Sequence, residues 1–440
     1  MDEFCWMTAT ELKVQIQKRN IGIEELTRSY LNRIEKYDPK LNTISEMNES
    51  VLKQAKKLDS QKLGRDAVLF GLPLLVKDNI DVAGLHTTAG SMALSDNLAK
   101  TNAAVVENIL HNGGIVLGKT NMTEFANFTS KGMPNGYSSK GGYVKNAYDP
   151  NKDPSGSSTG SAVAVSAGFC PIAVGTDTSF SVVACATENG IVGFKPQHNS
   201  LSSDGILPIS RTLDSAGSLS RNLSDAILLY SGMSDKPLAP IRPIPVKELK
   251  IGVNLYNREM VSDAQFRRYE SLFDTLRHDG AQFSEITQPY TSYQHHIMQC
   301  EFKRDLESYL TQSSANLKTL NDIIAFYEAD PKTMMKYGIT QLQEAAQKSA
   351  DDLIYKEAMA ERVRMRSLVI KELEPYDVCI MTGPTNIMHF VGLPSLALKM
   401  CTGEDGIPKG IILYGEDERK LLAAALTIET YCSPFCPPEL

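Results

Sequence analysis

Apolar residues recur along the chain in two rhythms, and the predicted structure changes where the rhythm does. Near the start, Thr8-Ala9-Thr10-Glu11 has the form of a capping box, in which a hydroxyl and a carboxylate satisfy the free amides of a helix start. Ile23, Leu26, Tyr30, Leu31 and Ile34 then share one helical face, and Lys53 to Gln61 is polar and helical in tendency. From Val68 the texture shifts. Val68 to Val76 is an apolar run broken by Gly71 and Pro73, which predicts a buried strand ending at Lys77. A helix over 103–111 leads to a second short buried strand, Gly114 to Gly118. Strands alternating with helices predict a sheet covered on both faces.

Residues 130–161 are rich in Gly, Ser, Asn and Pro and carry no period. An irregular segment of that length inside a regular chain points to function or disorder. It passes into a predicted helix at Ala162–Ala167 and a strand at Ile172–Val174, followed at once by a hydroxyl-rich turn, Thr176 to Ser181. Further on, Leu249–Asn254 reads as a strand, 264–279 as a helix and 340–373 as one or two long helices. Cys379–Met381 and Gly410–Tyr414 read as late strands. With no internal repeat and no low-complexity linker, one domain over 1–440 is favoured. Its parts are N-terminal helices over 1–62, a central portion over 63–230 and a C-terminal portion over 245–440.

Composition narrows the function classes. Lys and Arg number 45 against 52 Asp and Glu, a formal charge of −7. That excess disfavours a nucleic-acid partner, whose affinity comes mainly from phosphate neutralisation. The eight cysteines form no Cys-x-x-Cys and no pair with histidines at zinc-ligand spacing, so no metal is expected. Cys170, Cys379 and Cys401 sit among apolar neighbours and read as small core residues. His295-His296 reads as a surface pair, because adjacent helical residues face different directions. Cys432 to Cys436 reads as a frayed end. Met1 to Cys5 lacks a signal peptide's basic start and apolar run, and no stretch approaches the ~20 apolar residues of a membrane span. The expectation is a cytoplasmic protein with neither a membrane partner nor a cofactor.

Three polar features carry candidate chemistry. Lys77 ends an apolar strand, Ser155 to Ser161 is a hydroxyl-rich loop opening a helix, and Gly175 to Ser181 is a second hydroxyl-rich turn after a strand. Gly156-Ser157-Ser158-Thr159-Gly160 also fits G-x-S-x-G, the nucleophile elbow with Ser158 as nucleophile. That elbow needs a strand immediately before it. Here Asn146 to Pro154 precedes it, with two prolines and no apolar run. That context disfavours the elbow reading.

Taken in order, the motifs resemble the amidase-signature family. The matches are Gly71-Leu72-Pro73-Leu74-Leu75-Val76-Lys77-Asp78-Asn79, Gly118-Lys119-Thr120-Asn121-Met122-Thr123-Glu124-Phe125-Ala126 and Gly156-Ser157-Ser158-Thr159-Gly160-Ser161-Ala162. Gly175-Thr176-Asp177-Thr178 and Asn189-Gly190-Ile191-Val192-Gly193-Phe194-Lys195-Pro196 complete them. Ser138 to Gly142, Asp204 to Ser210, Glu301 to Leu306 and Leu320 to Glu328 look closest to the peptide-amidase-like branch. The resemblance implies a single α/β/α domain built on a large central mixed β-sheet flanked by helices. It implies a Lys77–Ser157–Ser181 triad with a cis peptide bond before Ser157, and an oxyanion site at the backbone of Thr178, Ser179 and Phe180. The implied reaction is cleavage of a carboxamide C–N bond, in a small molecule or a peptide, through an acyl-enzyme and without a cofactor.

The chain departs from the family at the nucleophile. Ser179-Phe180-Ser181-Val182-Val183 stands where the family has Gly-Gly-Ser or Asp-Gly-Ser followed by Ile-Arg. Phe180 replaces a glycine suited to a tight turn. Val183 replaces an arginine, so an ion pair with Asp177 is expected to be lost. Ser155 replaces a glycine, Ala184-Cys185-Ala186 lacks the family proline, and Thr382 runs quickly to Pro394, omitting a small-residue segment. Two other readings follow. One is a catalytically degenerate binding or regulatory protein; the other is the amidase component of a tRNA-dependent amidotransferase, which shares the signature.

Overall fold

The computed structural model describes residues 4–61, 67–236 and 238–440. The first three residues, part of the stretch without a signal-peptide pattern, lie outside it, as does the predicted boundary at 62/63. The expected capping box is present at Thr8, and the helix Ile23–Leu41 buries Ile23, Leu26, Tyr30 and Ile34. Leu31 is half-buried.

The strands among the described residues are β1 (Ile44–Met47), β2 (Pro73–Lys77), β3 (Ile115–Thr120), β4 (Tyr137–Ser138), β5 (Gly142–Tyr143), β6 (Ile172–Asp177) and β7 (Val192–Lys195). They continue with β8 (Ser215–Ser220), β9 (Lys250–Asn254), β10 (Gln282–Ile286), β11 (Val378–Met381), β12 (Ser395–Thr402) and β13 (Pro408–Tyr414). All but the small β4–β5 hairpin join one mixed 11-stranded sheet in the order β1-β3-β2-β6-β8-β7-β12-β13-β11-β9-β10. β2 runs parallel to both β3 and β6, whereas β8 is antiparallel to β6 and to β7. Every residue of β2, β3, β6, β7 and β8 is buried, as strands covered on both faces must be. The expected fold class is the observed one.

The structure sharpens or corrects several of these expectations. The predicted strand over 68–76 begins only at Pro73, because Gly71 turns the chain at φ +75°. The one or two helices expected over 340–373 are two, a short Thr340–Ala346 and a long Leu353–Leu373. The tail is pinned rather than frayed. Lys399 Nζ donates to Pro434 O at 2.5 Å, Ser433 N to Met400 O at 2.9 Å and Tyr148 Oη to Cys436 O at 2.7 Å. Cys401 is half-buried, unlike Cys170 and Cys379, and His295 and His296 are half-buried on the helix Tyr293–Gln312.

β2 occupies a distinctive place. The chain leaves it toward β3 on one side, then crosses to β6 on the other. The carboxyl end of such a strand is where open α/β sheets form crevices. Lys77 is its last residue. Among the described residues no helix is long and apolar enough to cross a membrane, and no group of three or more His, Cys, Asp or Glu is placed to hold a metal ion.

Candidate active site

Three elements converge at the carboxyl ends of β2 and β6. β2 delivers Lys77. The loop before the helix Thr159–Ser166 delivers Ser157 and Ser158, and that helix packs on β2, β6 and β8. The end of β6 and the turn after it deliver Thr176 to Ser181. The loop approaches closely because Gly160 has no side chain: a Cβ there would stand 2.3 Å from Asn121 O and 2.6 Å from Thr43 O. The Gly156–Ser157 peptide is cis.

Lys77 Nζ lies 2.8 Å from Ser157 Oγ, and Ser157 Oγ lies 3.0 Å from Ser181 Oγ. Lys77 and Ser157 are fully buried and Ser181 is 6 % exposed. The three residues expected to act together are therefore in continuous hydrogen-bond contact. Lys77 Nζ also meets Ser158 Oγ at 3.0 Å, Thr176 Oγ1 at 2.9 Å and Thr176 O at 3.2 Å. Asn79 Nδ2 donates to Thr176 Oγ1 at 3.1 Å and holds it in place. The motif around Lys77 contains Asn79, but nothing in its spacing marks Thr176 or Ser158 as partners of the amine.

Among the described residues three lysines are fully buried at strand positions, and their surroundings separate them. Lys119 on β3 faces Asp78 at 3.8 Å. Lys195 on β7 donates to the carbonyls of Pro196 and Leu393. The amine of Lys77 is ringed by hydroxyls and one carbonyl, with no carboxylate in salt-bridge range among the described residues. Burial pushes its pKa from 10.5 down to about 7. Cys185, pushed up to about 12 by its own burial, carries no charge near neutrality to hold the ammonium. Of the three, Lys77 alone touches serine hydroxyls whose protons it could take.

The turn after β6 is fastened from several sides. Asp177 Oδ2 accepts from the backbone N–H of Val182 at 2.7 Å and of Val183 at 3.3 Å, tying the strand end to the helix Val183–Glu188. Thr178 Oγ1 donates to Asp214 at 2.5 Å, and Gln294 Nε2 donates to Thr178 O at 3.0 Å. Burial raises Asp214 to about 7. Asp214 also accepts from the amides of Ile209 and Ser210, on a segment bound in turn to Glu301 through Ser210 Oγ and Thr212 Oγ1. Two of the stretches that resemble the peptide-amidase branch, one holding Ser210 and one holding Glu301, thus meet beneath the turn.

Phe180 adopts φ +70°, the left-handed region for which a glycine is better suited. With valine at 183, Asp177 has no arginine partner among the described residues, and a histidine stands beside it instead, able to form an ion pair only when its ring is protonated. His389, from the short helix Ile387–Phe390, places Nε2 3.1 Å from Asp177 Oδ1, and both side chains are fully buried. Burial disfavours the Asp177 carboxylate, but His389 when its ring is protonated, together with Lys195 and the Val182 amide, overcomes that and holds its pKa at about 2. Burial pushes His389 below its ordinary 6.5. The same Nε2 accepts from the backbone N–H of Phe180 at 3.2 Å. Of the three residues expected to supply the oxyanion site, Phe180 therefore has its amide engaged.

A sequence profile of the Amidase family matches residues 25–389. A probable amidase of Arabidopsis thaliana is 28% identical over 466 aligned residues, covering 98% of this chain and 91% of that protein. A glutamyl-tRNA(Gln) amidotransferase subunit of Methanosarcina barkeri is 30% identical, with 99% of each chain covered. Among solved structures, an amidase family protein from Bacillus anthracis superposes with a TM-score of 0.93 at 30% identity, covering 100% of this chain and 93% of that one. The peptide amidase of Stenotrophomonas maltophilia superposes with a TM-score of 0.91 at 28% identity, covering 100% and 99%.

Proposed function

The chain belongs to the Amidase family, and from that premise we propose that it hydrolyses a carboxamide through a Lys77–Ser157–Ser181 proton relay. The observation that carries the reading is the unbroken contact from an amine of lowered pKa, through one buried hydroxyl, to a second that is slightly exposed.

A serine hydroxyl attacks a carbonyl usefully only if a base removes its proton as it does so. With a pKa near 7, Lys77 is substantially neutral at physiological pH and has a lone pair to offer. Hydroxyl hydrogens rotate to suit their partners. Ser157 thus donates to Lys77 Nζ while accepting from Ser181. Ser181 Oγ attacks the carbonyl carbon, its proton passes to Ser157, and the proton of Ser157 passes to Lys77. Backbone amides of Thr178 and Ser179 face the developing oxyanion in this reading, the Phe180 amide being held by His389, and a positioned N–H is worth ~3 kcal/mol. Lys77 then returns the proton through Ser157 to the departing nitrogen, leaving an acyl-enzyme on Ser181. Water adds to that ester by the same relay and releases the acid.

A peptide C-terminal amide is the favoured substrate class, supported by the likeness to the Stenotrophomonas maltophilia peptide amidase and by the meeting of Ser210 with Glu301. The second reading, one component of an amidotransferase, draws on relatives of that name. Ammonia release from a peptide amide by the purified chain alone favours the first. The deciding experiment is reaction with a fluorophosphonate probe followed by peptide mapping. A phosphonyl adduct on Ser181, absent from Ser181→Ala, is the expected result. Failure of the wild type to react favours the degenerate reading.

A further inference from the structure

One atom in the site has two partners and can serve only one. His389 Nε2 stands 3.2 Å from the Phe180 nitrogen, whose N–H points at it, and 3.1 Å from Asp177 Oδ1. An imidazole nitrogen offers either a lone pair or a hydrogen in the ring plane, never both. As a lone pair it holds the Phe180 amide. As an N–H it holds the carboxylate, and the amide loses its acceptor. No other group relieves the conflict: among the described residues neither Asp177 Oδ1 nor His389 Nδ1 has another hydrogen-bond partner. The ring is wholly buried, and its centroid lies 4.3 Å from that of Phe180.

The amide at stake belongs to the residue before the proposed nucleophile, in a left-handed conformation that a phenylalanine does not favour on its own. Something must hold that bend. Resting on the amidase reading, and going beyond it, we propose that His389 is a positioning residue. Its Nε2 lone pair fixes the Phe180 amide and so aims Ser181 at Ser157, whereas protonation moves its grip to Asp177 and releases the turn. The groups facing the ring are Asp177 from β6, which favours the imidazolium, and Lys195 from β7, which opposes it. Desolvation outweighs both and keeps the ring neutral at physiological pH.

A glutamine is the informative replacement. Its carboxamide carries an acceptor for the Phe180 N–H and a separate donor for Asp177, and it does not titrate. Fluorophosphonate labelling of Ser181 is followed against pH and probe concentration in wild type, His389→Gln and His389→Leu, with thermal unfolding run in parallel. His389→Leu is expected to lower the maximal labelling rate by about tenfold or more with little change in half-saturating probe concentration. His389→Gln is expected to recover most of that loss. The steepness of the acid limb is the readout a merely structural role would not move. Once the pH falls below the lowered pKa of His389, the wild-type logarithmic rate should steepen toward a slope of two, one proton on Lys77 and one on His389, and the His389→Gln slope should stay near one. If His389→Leu does not fold, the two acid limbs decide alone. Identical limbs in wild type and His389→Gln, or a folded His389→Leu that labels at the wild-type rate, overturn the inference and leave the amidase reading standing. A wild type that never labels overturns both.

Discussion

Lys77 is where the chemistry and the stability of this protein pull against each other. Its amine sits in full burial among hydroxyls, and the fall from 10.5 to about 7 amounts to roughly 5 kcal/mol in favour of the neutral form, at about 1.4 kcal/mol per pH unit. The sign of the linkage follows. Between pH 7 and 10.5 the unfolded chain holds a proton that the folded chain has shed, so stability rises with pH across that window. Below pH 7 both states are protonated at this site and the penalty is at its full, constant value. Lys77→Met removes the titration. Its stability relative to wild type should therefore improve as pH falls from 10.5 to 7 and level off below, as urea midpoints at about pH 6 and pH 10 would show. A pH-independent difference would mean that Lys77 titrates as an ordinary lysine and is no base. The companion expectation is kinetic: wild-type labelling at Ser181 should rise with pH and half-develop near 7. That acid limb would be absent in Lys77→Met because its labelling is lost.

Among the elements, the helix Thr159–Ser166 positions Ser157, and it does so through contact too close for any side chain at Gly160. Gly160→Ala would drive a methyl against the carbonyls of Asn121 and Thr43, which belong to backbone and cannot turn aside. The expected cost is about 1–3 kcal/mol in thermal unfolding, with slower labelling of Ser181, since Ser157 lies three residues upstream. A variant as stable and as reactive as wild type would show that the helix is free to shift. Elements of this kind differ in how far the sequence reveals them. β2, β3 and β6 were legible as apolar runs. β8 was not, because Ser215-Ala216-Gly217-Ser218-Leu219-Ser220 is polar in composition yet buried throughout. Its hydroxyls find acceptors inside the molecule, Ser218 on Ala226 O and Ser220 on Asn222 O, and a Cβ at Gly217 would meet Phe194 O at 2.7 Å. Close packing selected small residues there and erased the hydrophobic signal. The triad positions were legible because each ends or opens an element and the motifs fall in a fixed order. His389 carried no such mark: it reaches Phe180 across 209 residues of chain, by way of sheet order alone.

At the scale of the molecule, that sheet order joins the two ends of the chain. β12 and β13 come from near the end of the sequence, yet β12 pairs with β7, and one connected apolar cluster holds residues from both ends of the chain, Cys5 and Ile428 among them. The site depends on this closure, since β2 and β6 come from the first half and His389 from the second. A chain ending near residue 233 would expose the edge of β7 that β12 pairs, an unpaired strand edge whose residues are buried in the intact protein. Such edges recruit other chains. The fragment is expected to aggregate, and the intact protein to unfold as a unit despite its 440 residues. Trp6 supplies the test. It is the only tryptophan, lies 4.5 Å from the Arg33 guanidinium and faces Phe435 with ring centroids 6.1 Å apart, so its fluorescence reports the junction between the two ends. Its denaturation curve should coincide with that of far-ultraviolet circular dichroism, which averages over every element. If fluorescence changed well before the dichroism, the C-terminal portion would be a separately folding unit. His389 would then reach the nucleophile turn through a docked interface, and any loosening of that interface would silence the site before the sheet itself came apart.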